Sequence, residues 1–309
     1  MLVATEHIVF AWPGGTSQCE PEPIVQDASV QGVAEAKESR AIVVDGAMWL
    51  ERAEEKRRVE TGKVCAKSIL ILDEQPLKVL LGTHAAHLYL LTEPSLRASC
   101  IDSFERLSCR EKWLTPWGGP PAVRSLAASS DSRTVYADIH VGSIMRSNDG
   151  GDTWEPVTPQ LDDDVHQVTT SRSATRRVYA NTASSVYLSD DRGQSWSHRH
   201  KGLNARYGRA IAVHPNDPDC ILASVSDGPH GGNGQLYRSD DAGENWTHVT
   251  DGFPAQSDRN IDTFQLIFGP DGNAWASIAR ELYRSVDRGR TWSTVWTSPE
   301  QIQYLACGR

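Results

Sequence analysis

The chain has 309 residues, of which 39% are hydrophobic and 23% are charged, and its formal net charge is −9. This length allows a large core, arranged as one large domain or as two smaller ones. The acidic balance argues against nucleic acid as the main partner, because binding to a phosphate backbone needs clustered Lys and Arg.

The first residues, MLVATEHIVFAWPGG, do not have the pattern of a targeting segment. They contain no basic region, and Glu6 and His7 interrupt the apolar stretch, so no signal peptide is predicted. No apolar run approaches the roughly 18 residues of a membrane span. We therefore expect a cytoplasmic protein with no membrane partner. Its six cysteines form no C-x-x-C pair and are expected to be buried free thiols.

A hairpin of two short apolar strands recurs seven times. The copies begin at Met1, Ala41, Val79, Val135, Val178, Ile221 and Ala274. Inner strands are predicted before several hairpins, beginning at Ser68, Val123, Val165, Arg209 and Thr263. Each unit therefore has four antiparallel strands, which we call a to d from the inner to the outer strand.

Two segments depart from this repeat. In the third unit, apolar residues between Leu96 and Leu107 recur at helical spacing, which predicts one short inserted helix near residues 93–110. In the second unit, the run ERAEEKRR favours a solvated outer hairpin or helix over a binding patch.

The two ends of the chain are complementary. The chain begins with a hairpin that lacks an inner strand and ends with IQYLACGR, an inner strand that lacks a hairpin. Pairing them completes one unit and closes a ring, which removes exposed sheet edges. The units are expected at approximately 1–27 with 300–309, 28–64, 65–120, 121–163, 164–206, 207–260 and 261–299. The predicted fold is thus a single all-β, seven-bladed propeller over residues 1–309.

Four copies of S-x-D-x-G-x-[TSN]-W follow four of the hairpins. They begin at Ser147, Ser189, Ser239 and Ser285, and repeats of about 40 to 50 residues are typical of propellers. Each Asp can accept backbone N–H bonds within the turn, and each Trp can pack between blades. We therefore assign a structural role to Asp149, Asp191, Asp241, Asp287, Trp154, Trp196, Trp246 and Trp292.

These four turns resemble Asp-boxes, which are also called bacterial neuraminidase repeats. The resemblance implies a propeller like those of sialidases, xyloglucan hydrolases, sortilin-type receptors and photosystem II assembly factors. It also implies that the boxes lie on c–d turns, away from the active face. It does not imply an activity, and no R-I-P sequence is present, so a sialidase is not expected.

The opposite face of the ring carries the b–c and d–a loops, and we expect the functional site there. Candidate ligand-binding residues on this face are Trp117, Arg124, Tyr207, Arg209 and His230. Imidazole and carboxylate groups can hold a divalent transition metal or act as a general acid and base. The candidate metal ligands are His84, His140, His166 and His230, and the candidate catalytic residues are His140, His166 and Asp138.

Two functions from different classes follow from this pattern. The first is a binding or assembly module for a small polar ligand or a protein partner, because the sequence carries a strong scaffold signal and weak catalytic signatures. The second is a hydrolase or lyase acting on a carbohydrate or small polar substrate, with or without a metal. No cofactor other than the possible metal is expected.

Overall fold

The computed structural model describes residues 1–12, 20–53, 55–62, 64–116, 118–157 and 159–308. Seven antiparallel sheets of four strands form a closed propeller, which confirms the predicted fold. We number the sheets as blades I to VII in chain order. Among the described residues, no helix is long and apolar enough to cross a bilayer.

The first three blades contain these strands, from inner to outer. Blade I consists of Tyr304–Ala306, Leu2–Ala4, Val9–Ala11 and Glu22–Val25. Blade II consists of Val30–Glu35, Ser39–Val44, Ala47–Arg52 and Glu55–Glu60. Blade III consists of Ala66–Glu74, Leu77–Thr83, Leu88–Thr92 and Ser99–Cys100.

The remaining blades follow the same order. Blade IV consists of Val123–Ala128, Val135–Ile139, Ser143–Ser147 and Glu155–Pro156. Blade V consists of Val165–Thr170, Val178–Thr182, Ser185–Ser189 and Ser197–Arg199. Blade VI consists of Tyr207–His214, Asp217–Ser226, Gln235–Ser239 and Thr247–His248. Blade VII consists of Leu266–Phe268, Ala274–Ile278, Glu281–Ser285 and Ser293–Thr297.

The ring closes within blade I, as the two ends of the sequence predict. The last strand pairs antiparallel with the first, and Val3 lies opposite Leu305. The core is divided among the blade interfaces: seven clusters of buried apolar side chains each join two neighbouring blades. Burial of apolar area between sheets therefore holds the ring together.

The segment near residues 93–110 contains less helix than its spacing predicts. Ser99–Cys100 forms the outer strand of blade III, Asp102–Glu105 forms a single helical turn, and Ser108–Lys112 forms a 3-10 helix. Phe104 is fully buried, and its ring centroid lies 5.4 Å from that of Trp154 in the next blade. The apolar spacing thus reflects contacts of a short turn rather than one face of a regular helix.

The S-x-D-x-G turns connect strands c and d, and their carboxylates are engaged within the turn. Asp149 accepts hydrogen bonds from Ser147 Oγ at 2.7 Å, from Thr153 N at 2.9 Å and from Thr153 Oγ1 at 2.5 Å. The same contacts recur around Asp191, Asp241 and Asp287. Trp154, Trp246 and Trp292 are buried, whereas Trp196 is half-buried.

We expect Asp149→Ala to lower the free energy of unfolding by about 1–3 kcal/mol, because it leaves several turn donors without their acceptor. Urea denaturation measures this change. Asp152→Ala is the matched control, since it removes an exposed carboxylate from the same turn. Equal destabilisation by the two substitutions would contradict the assigned role of Asp149.

The effect of Asp149→Ala should also depend on pH. Hydrogen bonds from Thr153 and Ser147 lower the pKa of Asp149 to about 2, although burial works in the opposite direction. A carboxylate with a depressed folded-state pKa stabilises the fold above its unfolded pKa, and this contribution is lost as pH falls. The difference between parent and variant should therefore shrink between about pH 4 and pH 2. A difference that stays constant over this range would contradict the expectation.

Candidate functional site

One extra residue near the start of the inner strand is shared by five blades. The register of strands a and b shifts at this point in blades II to VI. Such β-bulges bend the strand and re-aim side chains. The residues at the bulge are Gln31, Lys67, Arg124, His166 and Arg209. Four of these five side chains are basic or imidazole groups, so the bulges concentrate nitrogen atoms on the face of the b–c and d–a loops.

The cations from three different blades lie close enough to influence one another. Burial lowers the pKa of Lys67, and the charges of Arg124 and Arg209 lower it further. The pKa of Arg124 is likewise lowered by burial and then by Arg209. Because these residues belong to blades III, IV and VI, their charges interact across the ring. We call Lys67, Arg124, His140, Asp164, His166 and Arg209 the mouth cluster, since they surround this end of the central channel.

Buried side chains tie the bulged strands to their neighbours. Ser125 donates from N and Oγ to Asp138 at 2.6 and 2.9 Å, and Ser125 Oγ accepts from Val168 N of the next blade at 2.9 Å. Ser68 Oγ donates to Val123 O at 2.9 Å at the preceding interface. These bonds fix the position of each of these blades relative to the next one along the channel axis.

Asp138 takes part in this network from a fully buried position. Burial raises the pKa of its carboxyl group to about 7. Asn181, Ser224 and Ser277 occupy the same register position in the next three blades, each opposite the second residue of strand c. The observed contacts of Asp138 are therefore with the scaffold, and its catalytic role stays a prediction.

His166 is the fully buried member of the mouth cluster, and its ring is fixed at one nitrogen. Its Nδ1 contacts Gly208 O of blade VI, and its ring centroid lies 4.7 Å from that of Tyr207. The side chain is 0% exposed, and Nε2 lies 3.2 Å from Asp164 Oδ1. Burial lowers the pKa of His166, and the nearby Arg124 lowers it further, while Asp164 opposes the shift.

His140 lies beside this pair, on the b–c turn of blade IV. Arg124 Nη2 donates to His140 Nε2 at 3.0 Å, because a guanidinium can only donate. His140 Nε2 also lies 3.6 Å from Asp164 Oδ1. Burial and the charge of Arg124 lower the pKa of His140 to about 4, so this imidazole is neutral at pH 7.

Arg209 forms the other side of the mouth. Its guanidinium lies 5.1 Å from the ring centroid of Tyr207, Nη1 donates to Asp262 at 3.3 Å, and Nη2 donates to Pro229 O at 3.2 Å. Pro229 belongs to the glycine-rich b–c loop of blade VI. This loop therefore contacts the mouth cluster through its backbone.

The predicted residues are only partly brought together. Arg124, His140, His166, Tyr207 and Arg209 converge at the mouth. Within the described part of the chain, the convergent ligand group here consists of His140, Asp164 and His166 and includes neither His84 nor His230. The pKa of His84 is lowered by burial and by Lys67, and His230 is exposed on its loop. Trp117 lies outside the described residues.

Sequence reasoning missed three contributors to the site. Lys67 occupies the same bulge position as Arg124 and Arg209, and aligning the inner strands of the repeat would have identified it. Asp164 directly precedes an inner strand, and Asp262 lies shortly before another. Their carboxylates lie beside the bulge residues His166 and Arg209, respectively. In the sequence, Asp164 and Asp262 are recognisable only as members of polar segments that precede inner strands.

A cavity extends along the channel on the side of the a–b turns. It has a volume of about 760 Å³ and is lined by the later residues of the inner strands and by the a–b turns, including Ser129, Arg172 and Cys307. Its lining does not include the six residues of the mouth cluster. We place the candidate site at the mouth cluster, because side chains with perturbed pKa values and convergent polar atoms lie there.

A family model described as "Sortilin, neurotensin receptor 3" matches residues 142–257, which include three of the four S-x-D-x-G turns. The comparison with curated protein sequences gives no match. The partial match is consistent with the repeat and does not extend over half of the chain.

Solved structures similar to this chain belong to proteins of different functions. An ancestral GH74 enzyme is 18% identical, with a TM-score of 0.66, and the match covers 88% of this chain and 39% of that one. The GH74 xyloglucanase from Xanthomonas campestris is 18% identical, with a TM-score of 0.62 and coverages of 86% and 45%. The chain thus spans less than half the length of these two enzymes.

A third similar structure is that of YCF48 bound to D1 peptide. It is 16% identical, with a TM-score of 0.57, and the match covers 86% of this chain and 82% of that one. At these identities the three matches show the fold alone. Function must therefore be argued from the residues at the site.

The position of Gly208 at the mouth gives a further testable expectation. A Cβ atom there would lie 1.7 Å from Asn181 Oδ1, so Gly208→Ala should displace Asn181 and lower the free energy of unfolding by about 2 kcal/mol or more. Gly228→Ala is the control, since nothing lies within 4 Å of its Cβ position. Chemical denaturation of both variants measures the effect, and equal stability would contradict the close packing.

Proposed function

We propose that this protein is a binding module that holds a carboxylate-bearing ligand at the mouth cluster. The observation that carries the proposal is the state of Arg124. Its Nη1 is buried and has no hydrogen-bond partner among the described residues, and burial together with Arg209 lowers its pKa. A buried donor on a charged group is costly unless an acceptor is supplied, and a carboxylate supplies one.

The surrounding charges support an anionic ligand. Lys67, Arg124 and Arg209 bring three cations to a chain with a formal net charge of −9. Asp164 and Asp262 offset part of this charge. Guanidinium groups bind carboxylates through paired, directional hydrogen bonds, and clustered cations also raise the local concentration of anions.

The ligand can be a free acid or the acidic end of a peptide, and both present the same chemistry to the mouth. The similarity to a propeller solved with a bound peptide supports a binding role by analogy of fold only. Nucleic acid and membrane are not part of the proposal. A cytoplasmic location, expected from the sequence, belongs to it.

A second candidate is a hydrolase or lyase acting on a carbohydrate or small polar substrate. It is favoured by the convergence of His140, Asp164 and His166, which combines a carboxylate with two imidazoles. The two GH74 structures are enzymes on the same fold. Turnover of a carbohydrate or acidic substrate that is lost in Asp164→Asn would favour this candidate over a module that only binds.

Calorimetric titration with di- and tricarboxylates, and with acidic peptides whose terminal carboxyl is free or amidated, tests the binding proposal. We expect Arg124→Gln to weaken binding at least about tenfold, because hydrogen bonds to charged groups contribute about 1.5–3 kcal/mol. Arg133→Gln is the control, because Arg133 is exposed near the a–b turn of blade IV, at the other end of the ring.

The two kinds of probe separate the two kinds of ligand. Binding of the free acids supports a small-molecule site, whereas binding of only the free-carboxyl peptides supports a protein partner. Failure of every carboxylate to bind the parent, or equal affinity in parent and Arg124→Gln, would overturn the proposal.

A further inference from the structure

The hydrogen bonding of His166 fixes where its proton lies. Gly208 O can only accept a hydrogen bond, so the contacting Nδ1 must carry the proton. In the neutral ring, Nε2 then has a lone pair and no hydrogen. This atom is buried and has no hydrogen-bond partner among the described residues, and it points to Asp164 Oδ1 at 3.2 Å.

Asp164 and His140 present further acceptors to the same point. Asp164 Oδ1 is also buried without a hydrogen-bond partner in the described part of the chain. Because Arg124 donates to His140 Nε2, that nitrogen carries a lone pair as well. Two imidazole nitrogens and a carboxylate oxygen therefore converge, and none of these three atoms carries a hydrogen that it can donate to another.

The spacing of these atoms fits a metal ion. One ligand atom of each residue lies within 4.8 Å of the others, and the Asp164 oxygen lies 3.2 Å from the His166 nitrogen and 3.6 Å from the His140 nitrogen. Nitrogen and oxygen ligands lie about 2.0–2.2 Å from a bound zinc ion, which places neighbouring ligands roughly 3–3.5 Å apart. A backbone carbonyl on the opposite ring nitrogen is also the usual support of a metal-binding histidine.

We infer that His140, Asp164 and His166 form a binding site for one divalent transition metal ion at the mouth of the channel. Two imidazoles and one carboxylate suit Zn²⁺, Mn²⁺, Fe²⁺ or Co²⁺ better than Ca²⁺, which takes oxygen ligands. Three protein ligands leave positions open to water or to an external ligand. The site does not depend on the carboxylate-binding proposal, although the two adjoin.

The main alternative to a bound metal ion is an ion pair between a protonated His166 and Asp164. Burial of the ring opposes that charge, Asp164 favours it, and the neighbouring cations Arg124 and Arg209 oppose it. The same cations repel a metal ion, and Arg124 occupies His140 Nε2, so an ion must displace the guanidinium. Removing Arg124 should therefore strengthen metal binding while it weakens carboxylate binding.

Titration of metal-free, full-length protein with Co²⁺, followed by visible absorption, tests the inference. We expect one Co²⁺ per chain, with a spectrum of nitrogen and oxygen coordination that disappears when Zn²⁺ is added. Asp164→Asn should weaken Co²⁺ binding at least about tenfold, and Arg124→Gln should strengthen it. Asp163→Asn is the matched control, since it removes an exposed carboxylate from the adjacent position.

His166→Gln tests the buried ligand, and circular dichroism of each variant distinguishes a lost ligand from a lost fold. If His166→Gln does not fold, Asp164→Asn and Arg124→Gln still decide the question, because they change affinity in opposite directions. Absence of a Co²⁺ band in the parent, or an Asp164→Asn variant that binds as tightly as Asp163→Asn, would overturn the site. Either result leaves the carboxylate titrations to be judged separately.

Discussion

The site depends on a single constraint, which is that inner strands with an extra residue must still pair with their neighbours. In blades II to VI the bulge breaks the ladder between strands a and b, and unpaired backbone groups in a core are costly. Ser125, Asp138 and Asn181 supply replacement hydrogen bonds to strand a of their own or the next blade. The bulge side chain is then held in place at the mouth of the channel.

This arrangement separates the scaffold from the chemistry. The carboxylates of the S-x-D-x-G turns accept bonds within their own turns on the c–d side of the ring. Oδ1 of Asp164 instead lies 3.2 and 3.6 Å from nitrogens of two histidines, and this buried atom has no hydrogen-bond partner among the described residues. The motif identifies the first kind of aspartate in the sequence, whereas the surroundings of Asp164 become apparent only in the structure.

The sequence predicts the ring well and the site only in part. Seven hairpins, a regular period and complementary ends were sufficient for the blade number and the closure, because each blade repeats the same packing problem. The bulges are less visible: Lys67 and Arg124 occupy the same bulge position, and this correspondence becomes apparent only when the inner strands are aligned with one another. Helical spacing near Phe104 was likewise misleading, because a short turn between packed blades satisfies the same apolar contacts.

The five bulges also have a consequence for how such a protein can diversify. The five bulge positions carry four kinds of side chain at equivalent places in the repeat, namely Gln31, Lys67, Arg124, His166 and Arg209. The hydrogen bonds that hold the backbone there come mainly from other residues. Except at the fully buried His166, these positions can therefore change in charge and shape with little loss of stability. A ring of this kind can acquire a new recognition surface through substitutions at these positions, while its architecture stays the same.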